Sequence, residues 1–213
     1  MIHVGYDFSK MSNEEILTKI RGSKQLIGKN KKLLETELYI PQEESTLDAE
    51  GVTLAIEMER WSIAEAIRTL VERGYEYTPS KAEQQSNEFQ DNLSKLKKIT
   101  LITTEYMLPH TYELHFEDDV VCVGKETLEG FVELYHLDKN ELLADIRELY
   151  VGEWNKHYTA SDYGIYILDG DSWEMIFEYD DGTAVSFEGE NAYPYNFFDL
   201  IAVLDPNDIL FEE

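Results

Sequence analysis

Tyr112-Glu113-Leu114-His115-Phe116-Glu117-Asp118-Asp119-Val120-Val121-Cys122-Val123 alternates apolar and polar side chains, reverses through three acids and returns as a short apolar run. Successive side chains of a strand point to opposite faces, so this alternation predicts a half-buried strand, and the acidic reversal makes a hairpin with the run that follows. Trp173-Glu174-Met175-Ile176-Phe177-Glu178 repeats the order and character of Tyr112 to Glu117. It too reverses through an acidic turn, Asp180-Asp181-Gly182, into a returning strand over residues 183–187.

Working outward, each hairpin is preceded by a strand-like stretch, residues 99–106 and 163–168. Each is followed by a glycine, Gly124 or Gly189, and a helix-like segment. A helix is expected over residues 138–150 between them. The offset of 61 residues from Tyr112 to Trp173 and the likeness of the flanks predict a duplicated three-strand-plus-helix unit, against the plainer reading that any two amphipathic hairpins look alike.

The N-terminal part has a different period. Ser12-Asn13-Glu14-Glu15 has the form of a capping box, and Ile16, Leu17, Ile20, Ile27, Leu34 and Leu38 follow at near-helical spacing. A second helix is expected over about residues 47–73, carrying Leu54, Met58, Trp61, Ile63, Ile67, Leu70 and Val71 and ending at Gly74. Thr78-Pro79 reads as an N-cap with proline at the first helical position, opening a third, polar helix to about Lys98. The fold class expected is α+β: an N-terminal helical bundle, residues 1–98, followed by an acidic antiparallel sheet domain with packed helices, residues 99–213.

The charge follows the same division. The chain has 213 residues and a formal net charge of -26. Residues 1–98 hold 14 basic and 17 acidic side chains, whereas residues 99–213 hold 4 basic and 27 acidic. With 43% hydrophobic and 12% aromatic residues this is a folding composition, so the acidity belongs to a structured surface. It would repel phosphates and anionic head groups, which argues against direct binding of nucleic acid or acidic membranes and for a basic protein partner. No apolar run approaches the ~20 residues that cross a bilayer, and Met1 to Asp7 lacks the basic and apolar pattern of a signal peptide. A soluble, cytosolic protein is expected.

Chemistry is sparse in the pattern. The five histidines, His3, His110, His115, His136 and His157, contain no helical His-x-x-x-His pair, and His110 and His115 would face opposite ways on one strand. Asp169-Gly170-Asp171 and Asp180-Asp181-Gly182 read as turns before they read as ion loops. Cys122, the single cysteine, reads as a buried strand thiol that cannot build a thiolate zinc site alone. No metal, cofactor or catalytic residue is assigned; a hydrolase using two clustered carboxylates ranks low, because abundance of carboxylates is not specificity.

Gly189-Glu190-Asn191-Ala192-Tyr193-Pro194-Tyr195-Asn196-Phe197-Phe198 reads first as a loop into a last helix, with Phe197, Phe198, Leu200, Ile201 and Leu204 packing on the sheet. The functional reading makes Tyr193 and Tyr195 aromatic anchors beside Glu188 and Glu190. The stretch from Leu168-Asp169-Gly170 through Trp173, Asp180-Asp181-Gly182 and Asn191-Ala192-Tyr193-Pro194 resembles one that recurs in uncharacterised Gram-positive bacterial and phage proteins. That resemblance covers about the last fifty residues and implies no activity. In size, cytosolic character and acidity the chain also looks like phage-encoded anti-restriction and anti-CRISPR inhibitors, which occupy the nucleic-acid channels of defence enzymes; this likeness is carried by charge, not by a motif.

The function expected is therefore a non-enzymatic inhibitor that presents an acidic, DNA-mimicking surface to the basic groove of a nucleic-acid-guided nuclease. An immunity protein neutralising a basic toxin is the alternative. Alternate residues of one strand lie about 6.6 to 6.8 Å apart, close to the repeat of phosphates along a nucleic acid strand. The contacts expected are Glu113, Glu117, Asp118, Asp119, Glu174, Glu178, Asp180, Asp181, Glu188, Glu190, Tyr193 and Tyr195.

Overall fold

A computed structural model describes residues 7–39, 46–105, 108–167 and 170–208. The chain forms two compact units, Met1–Pro79 and Ser80–Glu213, in an α+β arrangement of N-terminal helices, a seven-stranded sheet and a C-terminal helix. No helix among the described residues is long and apolar enough to cross a membrane.

In the first unit a 3-10 turn at Phe8–Lys10 leads into helices α1 (Asn13–Glu37) and α2 (Ala49–Glu72). The capping box at the start of α1 forms as the sequence predicts, the Ser12 hydroxyl accepting from the Glu15 amide and the Glu15 carboxylate accepting from the Ser12 amide. Ile16 and Ile20 of α1 bury against Ala66 and Leu70 of α2 and against Phe8. At the end of α2, Gly74 takes φ +75, which lets its own amide and that of Tyr75 turn back onto the carbonyls of Val71 and Leu70. Arg73 fastens the two ends of the unit together, its guanidinium donating to the carbonyl oxygens of Met11 at 2.6 Å and Phe8 at 2.7 Å.

The third helix corrects the expected bundle and its boundary. α3 (Lys81–Asn92) is capped by Ser80 in a capping box with Glu83, not by Thr78 with Pro79 at the first helical position. It belongs to the second unit, so the division falls after Pro79 instead of at Lys98. The reason is its narrow apolar face. Phe89 meets the Phe177 ring edge-on with centroids 5.0 Å apart, and Leu93 and Leu96, which follow it, are buried. A glycine permits the close approach, because a Cβ at Gly152 would lie 2.8 Å from that of Phe89.

The sheet of the second unit contains β1 (Leu96–Glu105), β2 (Leu108–Phe116), β3 (Val120–Thr127), β4 (Gly130–Asp138), β5 (His157–Thr159), β6 (Ser172–Tyr179) and β7 (Ala184–Glu190). Their order is β4-β3-β2-β1-β6-β7-β5, antiparallel except for β5 beside β7. Both expected hairpins are present, β2 with β3 and β6 with β7. Two helices complete the unit, α4 (Lys139–Glu148), capped by Asp138, and α5 (Phe197–Leu204).

The topology overturns the duplication. The strand before the first hairpin, β1, pairs antiparallel with that hairpin's first strand, whereas β5 pairs parallel with the second strand of the other hairpin. Residues 163–167 form no strand, the end of that expected segment lying outside the described residues, and the supposed helix after Gly124 is the rest of β3 followed by β4. The likeness of the two hairpins is a shared amphipathic pattern with no shared topology behind it.

The fold places Phe89, Leu93 and Leu96 inside the sheet unit although they precede the expected boundary. A fragment of residues 80–213 should therefore unfold cooperatively and keep its near-UV aromatic circular dichroism. One beginning at Ile99 should lose both, because deleting large buried side chains costs about 2–5 kcal/mol each, together comparable to a domain's whole stability of about 5–15 kcal/mol.

Candidate interaction face

Strand alternation sorts the sheet into two faces. One carries Trp173, Met175, Phe177 and Tyr179 of β6 with Phe187 of β7 and Ile99 and Leu101 of β1, all buried. α3 and α5 pack here, Phe89 against Phe177 and Phe197 against Trp173 at 4.6 Å. The opposite, outer face carries Lys98, Thr100 and Ile102 of β1, Glu113 and His115 of β2, Glu174, Ile176 and Glu178 of β6, and Ser186 and Glu188 of β7, as the registers dictate.

Near its centre, Lys98 Nζ sits 2.9 Å from Glu113 Oε1 and 3.7 Å from Glu178 Oε2, and His115 Nε2 lies 2.7 Å from the other Glu113 oxygen. Burial acts to raise the Glu113 carboxyl, whose side chain is only 12% exposed, but the hydrogen bonds of Lys98 and His115 outweigh it and hold the group below its ordinary value. Burial likewise acts to lower the Lys98 ammonium, and the bonds to Glu113 and Glu178 outweigh it in the opposite direction.

Toward the β7 edge the balance changes. Glu174 of β6 stands directly opposite Glu188 of β7, and Glu190 follows on the same face opposite Ser172. Like charges placed directly across a strand pair destabilise it. Glu188 also accepts a hydrogen bond from His157 Nδ1 on β5 at 2.6 Å, which offsets part of this repulsion.

The expected contact residues fall into three groups. Glu113, Glu174 and Glu178 are half-buried, and Glu188 and Glu190 exposed, all on the outer face. Glu117, Asp118 and Asp119 form the β2–β3 turn and Asp180 and Asp181 the β6–β7 turn, all exposed. The strand ends at Phe116, Leu96 and Tyr179 are neighbours, so both turns leave one end of the sheet, about 10 Å apart with the start of β1 between them. Lys95 and Lys97 therefore stand between the two acidic turns, a juxtaposition that no local pattern reveals.

Tyr193 and Tyr195 form the third group, and both are half-buried. The Tyr193 ring stacks on Trp173 at 6.2 Å and also meets Phe197 and Phe198. The segment around it is a structural knot. Trp173 Nε1 donates to the Ala192 carbonyl oxygen at 2.8 Å, and a side chain at Gly189 would strike the Trp173 ring. Asn191, at φ +51, accepts from the Asp171 amide, and Asn196 accepts from Trp154 Nε1 while donating to the Leu149 carbonyl oxygen. The loop-into-helix reading accounts for every one of these contacts.

The acidic loops show turn chemistry: Asp181 accepts from the amide and hydroxyl of Thr183, which holds its carboxyl below the ordinary value. Asp169 lies outside the described residues. Cys122 is the buried strand thiol expected, but on β3 it stands opposite His115 on one side and His136 on the other, neighbours invisible to a reading that made β4 a helix. Comparison with protein families, curated protein sequences and solved structures finds no match to the chain.

The Lys98–Glu113 pair sets a pH dependence. Because the folded Glu113 value is depressed, its contribution to stability is complete above the ordinary 4.5 and is lost as pH falls through the folded value; the raised Lys98 value makes its own share disappear only as pH climbs beyond 10.5. Glu113→Gln should flatten the acid limb of stability against pH in denaturant titrations. Lys98→Met, which strands the half-buried carboxylate, should cost about 1–3 kcal/mol at neutral pH.

Proposed function

We propose that this protein is a non-enzymatic binding protein that lays its acidic outer sheet face against the basic groove of a nucleic-acid-processing enzyme, a nucleic-acid-guided nuclease of the cytosol, and keeps the natural polyanion out. The supporting observation is the Glu174–Glu188 cross-strand pair continued by Glu190. A surface that only had to be soluble would place opposite charges across neighbouring strands, whereas like charges in register cost the free protein stability that a cationic partner returns. The sheet unit carries 8 basic against 30 acidic side chains, so approach to a basic groove is steered over a long range. Tyr193 contributes by stacking on Trp173 and Phe197, which holds the last segment in place.

Purified RNA-guided nucleases, with and without their guide RNA, are the probes. Binding should be competed by guide or target strand and should weaken steeply with salt. The triple variant Glu174→Gln, Glu188→Gln, Glu190→Gln should associate roughly tenfold more slowly at low salt with a flatter salt dependence, since peripheral charges act chiefly on the association rate. Unchanged rate and salt slope would make the acidity a solubility feature. Binding to a basic toxin in place of a guided nuclease would assign the same face to immunity.

A further inference from the structure

The other end of the outer face holds a donor set of a different kind. Cys122 of β3 is directly opposite His136 of β4, and one step along, Gly124 is opposite Glu133. Residues three apart on a regular strand face opposite ways. Here the register shifts, Val123 pairing with Tyr135 and Gly124 with Glu133, so Leu134 is the extra residue of a bulge that swings Glu133 onto the face of His136. Cys122 Sγ, a Glu133 carboxylate oxygen and a His136 ring nitrogen consequently gather within 4.8 Å of one another, and His136 Nε2 lies 3.1 Å from Glu133 Oε1.

The surroundings suit a cation. The Cys122 thiol is buried, and the carboxylates of Glu117 and Glu133 both lie within hydrogen-bond reach of it. Negative groups thus converge on one sulfur that is itself nearly inaccessible, while Glu133 and His136 keep half of their side-chain surface in solvent. Thiolate, imidazole and carboxylate together are the ligand types of zinc, which binds them at about 2.0–2.3 Å in a tetrahedron whose corners are about 3.3–3.8 Å apart. Small rotations of the two exposed side chains close the remaining distance. Phe131 forms a wall beside the cluster, its ring 4.4 Å from that of His115 and 2.8 Å from where a Cβ of Gly124 would stand.

We propose that Cys122, Glu133 and His136 form a zinc-binding site on the outer face, three protein ligands with a fourth position open to solvent. On binding, the thiol proton leaves to solvent, and the thiolate and carboxylate together balance the two positive charges of the ion. The ion would pin β4 to β3, joining an edge strand to the sheet by a bond that hydrogen bonding alone does not supply. The inference is independent of the nuclease reading, since it concerns a different set of residues at the β4 edge.

Cobalt(II), which takes zinc sites and reports on them by absorption, tests this on the full chain. One equivalent should produce a near-ultraviolet thiolate-to-cobalt band and visible bands of tetrahedral intensity, both abolished by zinc and by Cys122→Ser. Glu133→Gln and His136→Gln, at half-exposed positions where the fold is not at stake, should each weaken cobalt and zinc affinity by at least about 100-fold, above the 10–100-fold typical of groups that only support a ligand. His157→Ala, which removes the His–Glu pair on β5, should change nothing. Zinc should raise the unfolding temperature of the native chain and not of the His136→Gln variant. Absence of the near-ultraviolet band, or a band unaffected by both Glu133→Gln and His136→Gln, would overturn the site. Metal binding that His157→Ala weakens equally would do so as well.

Discussion

Burial of the inward row of β6, Trp173, Met175, Phe177 and Tyr179, is the constraint on which the rest of the second unit depends. Trp173 meets Phe197, and Phe177 meets Phe187 and, through Phe89, the helix that precedes the sheet. A strand with such a row has one permitted register, because a slip of one residue would turn the aromatics to solvent and the glutamates into the core. Fixing β6 fixes β1 on one side and β7 on the other. The outward positions follow as a consequence: Glu178 beside Lys98, and Glu174 facing Glu188.

The outer face is thus a surface positioned by the core and left electrostatically uneven. At its centre Lys98 answers two carboxylates, and the half-buried Glu113 is kept ionised by partners on both oxygens. At the β7 edge the same backbone regularity opposes two negative charges. At the β4 edge it is an irregularity, the bulge at Leu134, that assembles a group of side chains with chemistry of its own. This contrast between the centre and the β7 edge is what the proposed binding role rests on.

What was legible in the sequence was whatever repeats locally. The capping box at Ser12, the long amphipathic helices, the two hairpins and the helix at Phe197 are each carried by a pattern of a few residues. β4 was not legible, because the bulge breaks the period of two in Phe131-Val132-Glu133-Leu134-Tyr135-His136, and without β4 the partners of Cys122 were out of reach. α3 was recognisable as a helix but not as part of the sheet unit, since two apolar side chains, Phe89 and Leu93, decide where it packs. The pairing of β1 with β6 and of β5 with β7 joins residues far apart along the chain, and these non-local choices separated two like hairpins into unlike halves. Of the acidic residues singled out, those in the two turns and on β7 are exposed, whereas Glu113, Glu174 and Glu178 are half-buried by neighbours on adjacent strands. The lysines that intervene between the two turns were not legible, because they arrive on a neighbouring strand.

If Glu174 and Glu188 repel one another across β6 and β7, removing one of the charges should stabilise the free protein. Thermal unfolding of the full chain and of Glu174→Gln, at low and at high salt, tests it directly. The variant should be more stable than the native protein by about 0.2–1 kcal/mol at low salt, as expected for relief of a like-charge cross-strand pair, with the gain closing as salt screens the repulsion. A variant that is less stable than the native protein at low salt would mean that Glu174 serves the fold, and would contradict it.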